Sequence, residues 1–310
     1  MTGTTWRPHE VTPDTAGCEA SPAGLLDLLA RLDVAALLAA RKALVLRGFG
    51  ITPDTHGAVV DALLPRRLAY VHGNSPRTKV GDNVYTSTEY PAEFVISMHN
   101  EMSYAASWPA RLLFYCERAP HTGGATPVVD GERWLAALDA EVRAAFAGGV
   151  RYVQNLHDGY GFGKSWQDTF ETADRSVVEA RLAGTGAVWS WSGEGTLRIS
   201  QLRPATVRHP VTGVEVWFNQ ADQFHAAGLA EQGPDIRELL PEEEWPQSVT
   251  FADGSPVPAA YVRHVQETGL RLAVDVGWNA GDLLLVDNVL VGHGRRPFTG
   301  PRRVLVAMSD

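Results

Sequence analysis

Near its C-terminus the chain reads GDLLLVDNVLVGHG (281–294) and then RRVLVAMS (302–309), two apolar runs joined by RRPFTGP. Runs this short, bounded by Gly and Pro, read as strands whose two faces are both covered, since no polar alternation marks a wet side. LLFYCE (112–117) and ALVLRGFG (43–50) have the same character. The sheet core therefore draws strands from both ends of the chain. Helical spacing occurs in 24–42, in 54–64 with Asp54 or Thr55 as cap, in 131–149, near 171–183 and over 258–270; 205–219 reads as a hairpin around PVTG. No βαβ alternation with a glycine fingerprint is present, so a barrel or sandwich with helices packed outside is expected rather than a parallel sheet.

Composition narrows the function classes. With 310 residues, 45 % of them apolar and nine Trp, the chain can bury a sizeable core and is not a disordered protein. A net charge of −9 argues against nucleic acid as a partner. Two cysteines, Cys18 and Cys116, make no disulfide framework. The N-terminal MTGTTWRPHE lacks the pattern of a signal peptide, and no run reaches the roughly 20 apolar residues of a membrane helix. A cytoplasmic protein with no membrane partner is expected. Oligomeric state is not readable.

The sharpest local pattern is His99-Asn100-Glu101, in a segment (93–102) that reads as period-two alternation. On a strand, His99 and Glu101 would project side by side, an imidazole and a carboxylate suited to two positions on a divalent metal. His293, at the end of the apolar run 283–293, offers a third ligand and completes a two-His-one-carboxylate facial set with open positions. Taken singly, each has an ordinary alternative: a surface or capping pair for the triplet, a carbonyl-satisfied core histidine for His293. PRR then places Arg302 and Arg303 at the start of the last strand, where one of them faces inward and can grip a carboxylate bidentately. Gly123-Gly124-Ala125-Thr126-Pro127 permits close backbone approach and adds a hydroxyl donor. Together these groups suit a metal-chelating keto acid with a distal carboxylate.

The sequence resembles the TauD/TfdA family of iron(II)- and 2-oxoglutarate-dependent oxygenases, and within it the SyrP-like branch. The matching stretches are YTSTEYPAEFVISMHNEMSYAASWPARLLFYC (85–116), GGATPVVDGERW (123–134), RHPVTGVEVWFNQADQFH (208–225) and GDLLLVDNVLVGHGRRPFTGPRRVLVAM (281–308), with LVLRGFG (44–50) a looser match. The ordered combination is specific; no single motif is.

The resemblance implies a mainly β fold with flanking helices, the double-stranded β-helix or jelly roll of clavaminate synthase-like proteins. It implies one domain over 1–310, with an inserted segment at about 150–205, because ligands 293 − 99 = 194 positions apart must meet at one metal. By it His99, Glu101 and His293 hold Fe(II), while Thr126 and Arg302 hold the distal carboxylate of 2-oxoglutarate; Arg303 is the alternative to Arg302. O2 is the co-substrate, the keto acid leaves as succinate and CO2, and the default outcome is hydroxylation of an unactivated C–H bond. Desaturation, epoxidation and cyclisation use the same oxidant. The implied substrate is a small molecule, an amino acid or a derivative of one, free or presented on a carrier protein, in specialised metabolism such as antibiotic biosynthesis. Asn100, Tyr104, Asn219, Gln220 and His225 are candidate substrate contacts, and Arg203 and Arg208 candidate partners for a substrate carboxylate. Two rival readings are a zinc hydrolase built on the same three ligands and a non-catalytic jelly-roll binding module. The first lacks an HExxH helix and has no use for the arginine; the second does not require the set.

Overall fold

A computed structural model describes residues 6–73, 77–88, 90–159, 161, 163–227 and 236–310. Its centre is a sandwich of two sheets. The larger has seven strands in the order His9–Val11, Ala43–Leu46, Leu283–Asp287, Arg111–Arg118, Arg303–Ser309, Val84–Thr86 and Lys79–Gly81. The smaller has four, in the order Val274–Val276, Thr126–Asp130, Val291–Arg295 and Ile96–His99. Neighbours within both are antiparallel, except for the edge pair of His9–Val11 with Ala43–Leu46.

The apolar runs are explained by what covers each face. In Leu283–Asp287, Leu284 and Val286 point between the two sheets, where they meet Leu112, Phe114, Val304 and Val306. Leu283 and Leu285 point the other way, onto Leu25, Leu28, Leu29, Val59, Val60 and Leu63 of the N-terminal helices. With both faces buried, every position of the strand is apolar except its last. A Leu→Ala change at such a position costs about 2–5 kcal/mol.

The covering helices are shorter than the periodicity suggests. The expected helix 24–42 is two, Pro22–Arg31 and Val34–Arg41, because Asp33 turns its carboxylate to the amide of Ala36 and caps a new start. The expected helix 131–149 likewise divides into Gly131–Ala137 and Ala140–Phe146. Of the two proposed caps for His56–Leu63, Thr55 occupies the cap position, yet its hydroxyl makes no bond to the helix. The hairpin at 205–219 forms as Thr206–Arg208 against Glu215–Trp217.

A third sheet, four-stranded, runs Val188–Trp191, Leu197–Arg203, Val150–Leu156 and Gln247–Phe251. It therefore reaches beyond 205, taking its last strand from 247–251. Tyr152 from this sheet packs into the same apolar cluster as the sandwich interior. Among the described residues no helix is long and apolar enough to cross a membrane.

Candidate active site

The smaller sheet brings the two histidines together. His99 closes the strand Ile96–His99 and pairs directly with His293 of Val291–Arg295, their ring centroids 4.3 Å apart. Gly294 allows the approach, for a Cβ there would stand 2.5 Å from the carbonyl oxygen of Ile96. Nδ1 of His99 lies 2.9 Å from the carbonyl oxygen of Ser97. A carbonyl only accepts, so this nitrogen carries the proton and Nε2 keeps its lone pair for a metal.

Glu101 reaches the same place by a different route from the expected one. It does not lie on the strand; the chain leaves β structure after His99 and Glu101 sits in a turn. Asn288 holds that turn, accepting from the Glu101 amide at 2.8 Å and donating to the carbonyls of Glu101 and Pro109 at 3.0 and 2.8 Å. Asn100 ties it down from the other side, donating to the carbonyls of Asn288 and Val291. The left-handed backbone of Met102 (φ 58°) completes the bend.

The result is a buried set of three donors, from His99, Glu101 and His293, all within 4.8 Å of one another. Burial holds the His293 imidazole well below its usual pKa, with neighbouring His99 and Arg77 acting the same way, so it stays neutral near pH 7. Its Nδ1 is buried without a hydrogen-bond partner. Two imidazoles and a carboxylate, shielded from water, are the donor set a divalent iron accepts. The residues present therefore fit the metal.

The arginine register is resolved by side-chain direction. Arg302 turns into the cavity that His99, His293 and Thr126 also line, whereas Arg303 turns outward to Glu117 at 3.2 Å. Arg302 donates to the Gly124 carbonyl at 3.0 Å and the Ser87 hydroxyl at 3.2 Å, with no carboxylate against it among the described residues. Burial, helped by Arg295, lowers its pKa to about 10, still fully charged at neutral pH. Glycine is required opposite it, since a Cβ on Gly124 (φ +67°) would come within 3.1 Å of Arg302 Cδ and 2.7 Å of Pro120. The Thr126 hydroxyl accepts from Trp278 Nε1 at 3.1 Å and is 2 % exposed. A cation without its anion beside a hydroxyl fits the far carboxylate of a dicarboxylate ligand.

The expected substrate contacts are occupied elsewhere. Asn100 is engaged in the ligand turn, and Asn219 donates to the Ala205 carbonyl while accepting from the Ala221 amide. Gln220 accepts from Ser103 and donates to Gln223; the Tyr104 hydroxyl donates to the His72 carbonyl. His225 bonds the Val257 carbonyl oxygen. Arg208 pairs with Glu215 at the surface, and Arg203 donates to Gln201 and to backbone carbonyls. Side chains that spacing did not single out stand closer. Tyr70 donates to Glu101 Oε1 at 3.0 Å, and Arg77 pairs with Oε2 at 2.5 Å. Both come from a stretch rich in Pro, Gly and Asn, where no periodicity reports direction. With Arg77 in place the cavity retains about 30 Å³, space for a water or two.

Comparison with known proteins places these features. The model of the family "Taurine catabolism dioxygenase TauD, TfdA family" matches residues 12–308. The dapdiamide synthesis protein DdaC of Enterobacter agglomerans is 37 % identical over 279 residues, covering 88 % of this chain and 84 % of that protein. The clavaminate synthase-like protein At3g21360 of Arabidopsis thaliana is 33 % identical over 283 residues, covering 86 % and 81 %. Among solved structures, an asparagine oxygenase in complex with Fe(II), 3-hydroxyasparagine and succinate superimposes with a TM-score of 0.56 at 15 % identity, covering 97 % of this chain and 93 % of that one. AAD-2 in complex with Mn(II) and N-oxalylglycine does so at 0.50 and 15 %, covering 89 % and 85 %. These two share the fold, a jelly roll with added helices. Family match and relatives span nearly the whole sequence, and the chain belongs to the TauD/TfdA family of iron(II)- and 2-oxoglutarate-dependent dioxygenases.

Proposed function

We propose that this dioxygenase hydroxylates an unactivated C–H bond of an amino acid or amino-acid-derived substrate, free or carried on a partner protein, in a biosynthetic pathway. In this reading His99, Glu101 and His293 hold the iron, and Arg302 with Thr126 holds the far carboxylate of 2-oxoglutarate. A single catalytic domain, interrupted at about 150–205, and a cytoplasmic setting belong to the same reading. One observation carries it: three buried metal donors lie within 4.8 Å of one another, and two of them, His99 and His293, line one cavity with Arg302, against which no carboxylate stands among the described residues. The likeness to a protein of dapdiamide synthesis supports a biosynthetic role.

Iron and 2-oxoglutarate supply the oxidising power, as the keto acid is converted to succinate and CO2 in the presence of O2. The chain's residues do the positioning. Asn288 and Asn100 fix the Glu101 turn, the Ser97 carbonyl fixes the His99 tautomer, and Arg302 fixes the far end of the keto acid. Burial of all three ligands keeps bulk water away from the oxidised carbon.

The test is succinate release with Fe(II), 2-oxoglutarate and O2 across free and carrier-bound amino acids. Release that depends on one such substrate, and is abolished in His99→Ala, is expected. Succinate formation unaffected by His99→Ala would contradict the ligand assignment. A hydroxylated product would separate this outcome from desaturation, epoxidation or cyclisation.

A further inference from the structure

Arg77 is the least expected side chain in the cavity. Its guanidinium is 2 % exposed and lines the same space as His99, His293 and Arg302. Nη2 pairs with Glu101 and the plane lies over the Tyr70 ring, 4.6 Å from its centroid. Nε and Nη1 are buried without hydrogen-bond partners. Glu101 is the carboxylate that faces it; its other polar neighbours are the phenols of Tyr70 and Tyr104. The Lys164 ammonium also lies over that ring, 5.8 Å from its centroid, and donates to the Gly73 carbonyl.

The charge of Arg77 is matched only while Glu101 belongs to it. Once Glu101 ligates iron, the metal's two positive charges and that of Arg302 are matched by Glu101 and the dianionic keto acid. Both histidines are neutral ligands. Arg295 spreads its charge over the carbonyls of Thr88, Tyr90, Pro91 and Phe94. Arg77 then has no anion of its own among the described residues, and a buried guanidinium without one is strongly disfavoured. Once Glu101 leaves Nη2, the edge formed by Nε and Nη2 presents the fork that a carboxylate matches bidentately.

We propose that Arg77 is the receptor for a carboxylate carried by the substrate, so that the substrate of this enzyme is an acid recognised beside the iron. The proposal rests on the assignment of Glu101 as an iron ligand. It also separates the two forms of substrate. A free amino acid can offer its α-carboxylate, whereas an aminoacyl group bound to a carrier through that carbon must offer a side-chain carboxylate.

The experiment follows the melting temperature of the full chain loaded anaerobically with Mn(II) and 2-oxoglutarate, as acetate or acetamide is added at constant ionic strength. Acetate is expected to raise the wild-type melting temperature in a saturable way, and acetamide to leave it unchanged. In Arg77→Gln the half-saturating acetate concentration should rise about tenfold or more, the scale of one charge-assisted pair. Arg77→Lys, which keeps the charge but loses the fork, should fall between and guards against a variant that fails to fold. Equal responses to acid and amide, no response to acetate, or a wild-type response in Arg77→Gln would overturn the proposal. If Mn(II) and 2-oxoglutarate themselves leave the melting temperature unchanged, it is the cofactor assignment that fails.

Discussion

Arg302 and Arg77 line one cavity, both withdrawn from water, and their partners differ in kind. Arg302 rests on a carbonyl and a hydroxyl, neutral acceptors that orient a guanidinium without cancelling its charge. Arg77 rests on Glu101, a carboxylate the metal site needs. On the proposed assignment the first is an anion site, and the second is an anion site filled by a metal ligand that opens when Glu101 binds the metal. One cavity can thus be prepared for a dicarboxylate at one end while the charge at its other end changes with metal loading.

The comparison can be broken most severely at the shared ligands. His293→Ala or Glu101→Ala should lower Mn(II) affinity by more than the about tenfold to hundredfold typical of residues that merely support ligands. Equilibrium metal titration checks it; near wild-type affinity would remove the metal end altogether. Arg302→Ala should raise the 2-oxoglutarate concentration needed for turnover by about a hundredfold, roughly 3 kcal/mol for a buried bidentate pair. Arg303→Ala, which loses only the exposed pair with Glu117, should change it by less than about twofold.

Asn288→Ala tests whether the turn, rather than a strand, delivers Glu101. It leaves the buried Glu101 amide without its acceptor and should cost about 1–3 kcal/mol in denaturant unfolding, with about tenfold weaker metal binding. Arg77→Gln should move metal affinity the other way: with no guanidinium competing for Glu101, Mn(II) should bind several-fold to about tenfold more tightly in the absence of substrate. A smaller effect than these is expected at Gly124→Ala. Its positive φ and the crowding against Pro120 and Arg302 predict a loss of about 1–2 kcal/mol, with a few-fold weaker 2-oxoglutarate binding.

The same contrast shows what a sequence can report. The apolar runs 281–294 and 302–309 were legible because burial on both faces leaves few polar positions; the first, expected as one strand ending in His293, is two strands of different sheets, Leu283–Asp287 and Val291–Arg295, with His293 inside the second. Arg302 was preferred to Arg303 with the register uncertain, and alternation could not decide between them, because the pairing shifts between Arg303 and Val304. The His99–Glu101 pairing was right in proximity and wrong in cause: strand alternation suggests it, but a turn pinned by an asparagine 288 − 101 = 187 positions away produces it. Tyr70 and Arg77 lay beyond reach, since their direction depends on packing from an irregular segment. Asn100, Asn219 and Gln220 were read as candidate substrate contacts because sequence cannot show the buried partners their side chains find within the protein.

The central claim is that one cavity joins a His99–Glu101–His293 metal site to an Arg302 carboxylate site. Anaerobic titration of the apoprotein with Fe(II) and 2-oxoglutarate tests both ends at once, because the weak visible charge-transfer band needs the keto acid chelated to the bound metal. The wild type should develop the band, Arg302→Ala should do so only at about a hundredfold higher 2-oxoglutarate, and His99→Ala not at all. Folded wild-type protein that shows no band, or Arg302→Ala titrating as the wild type does, would contradict the account.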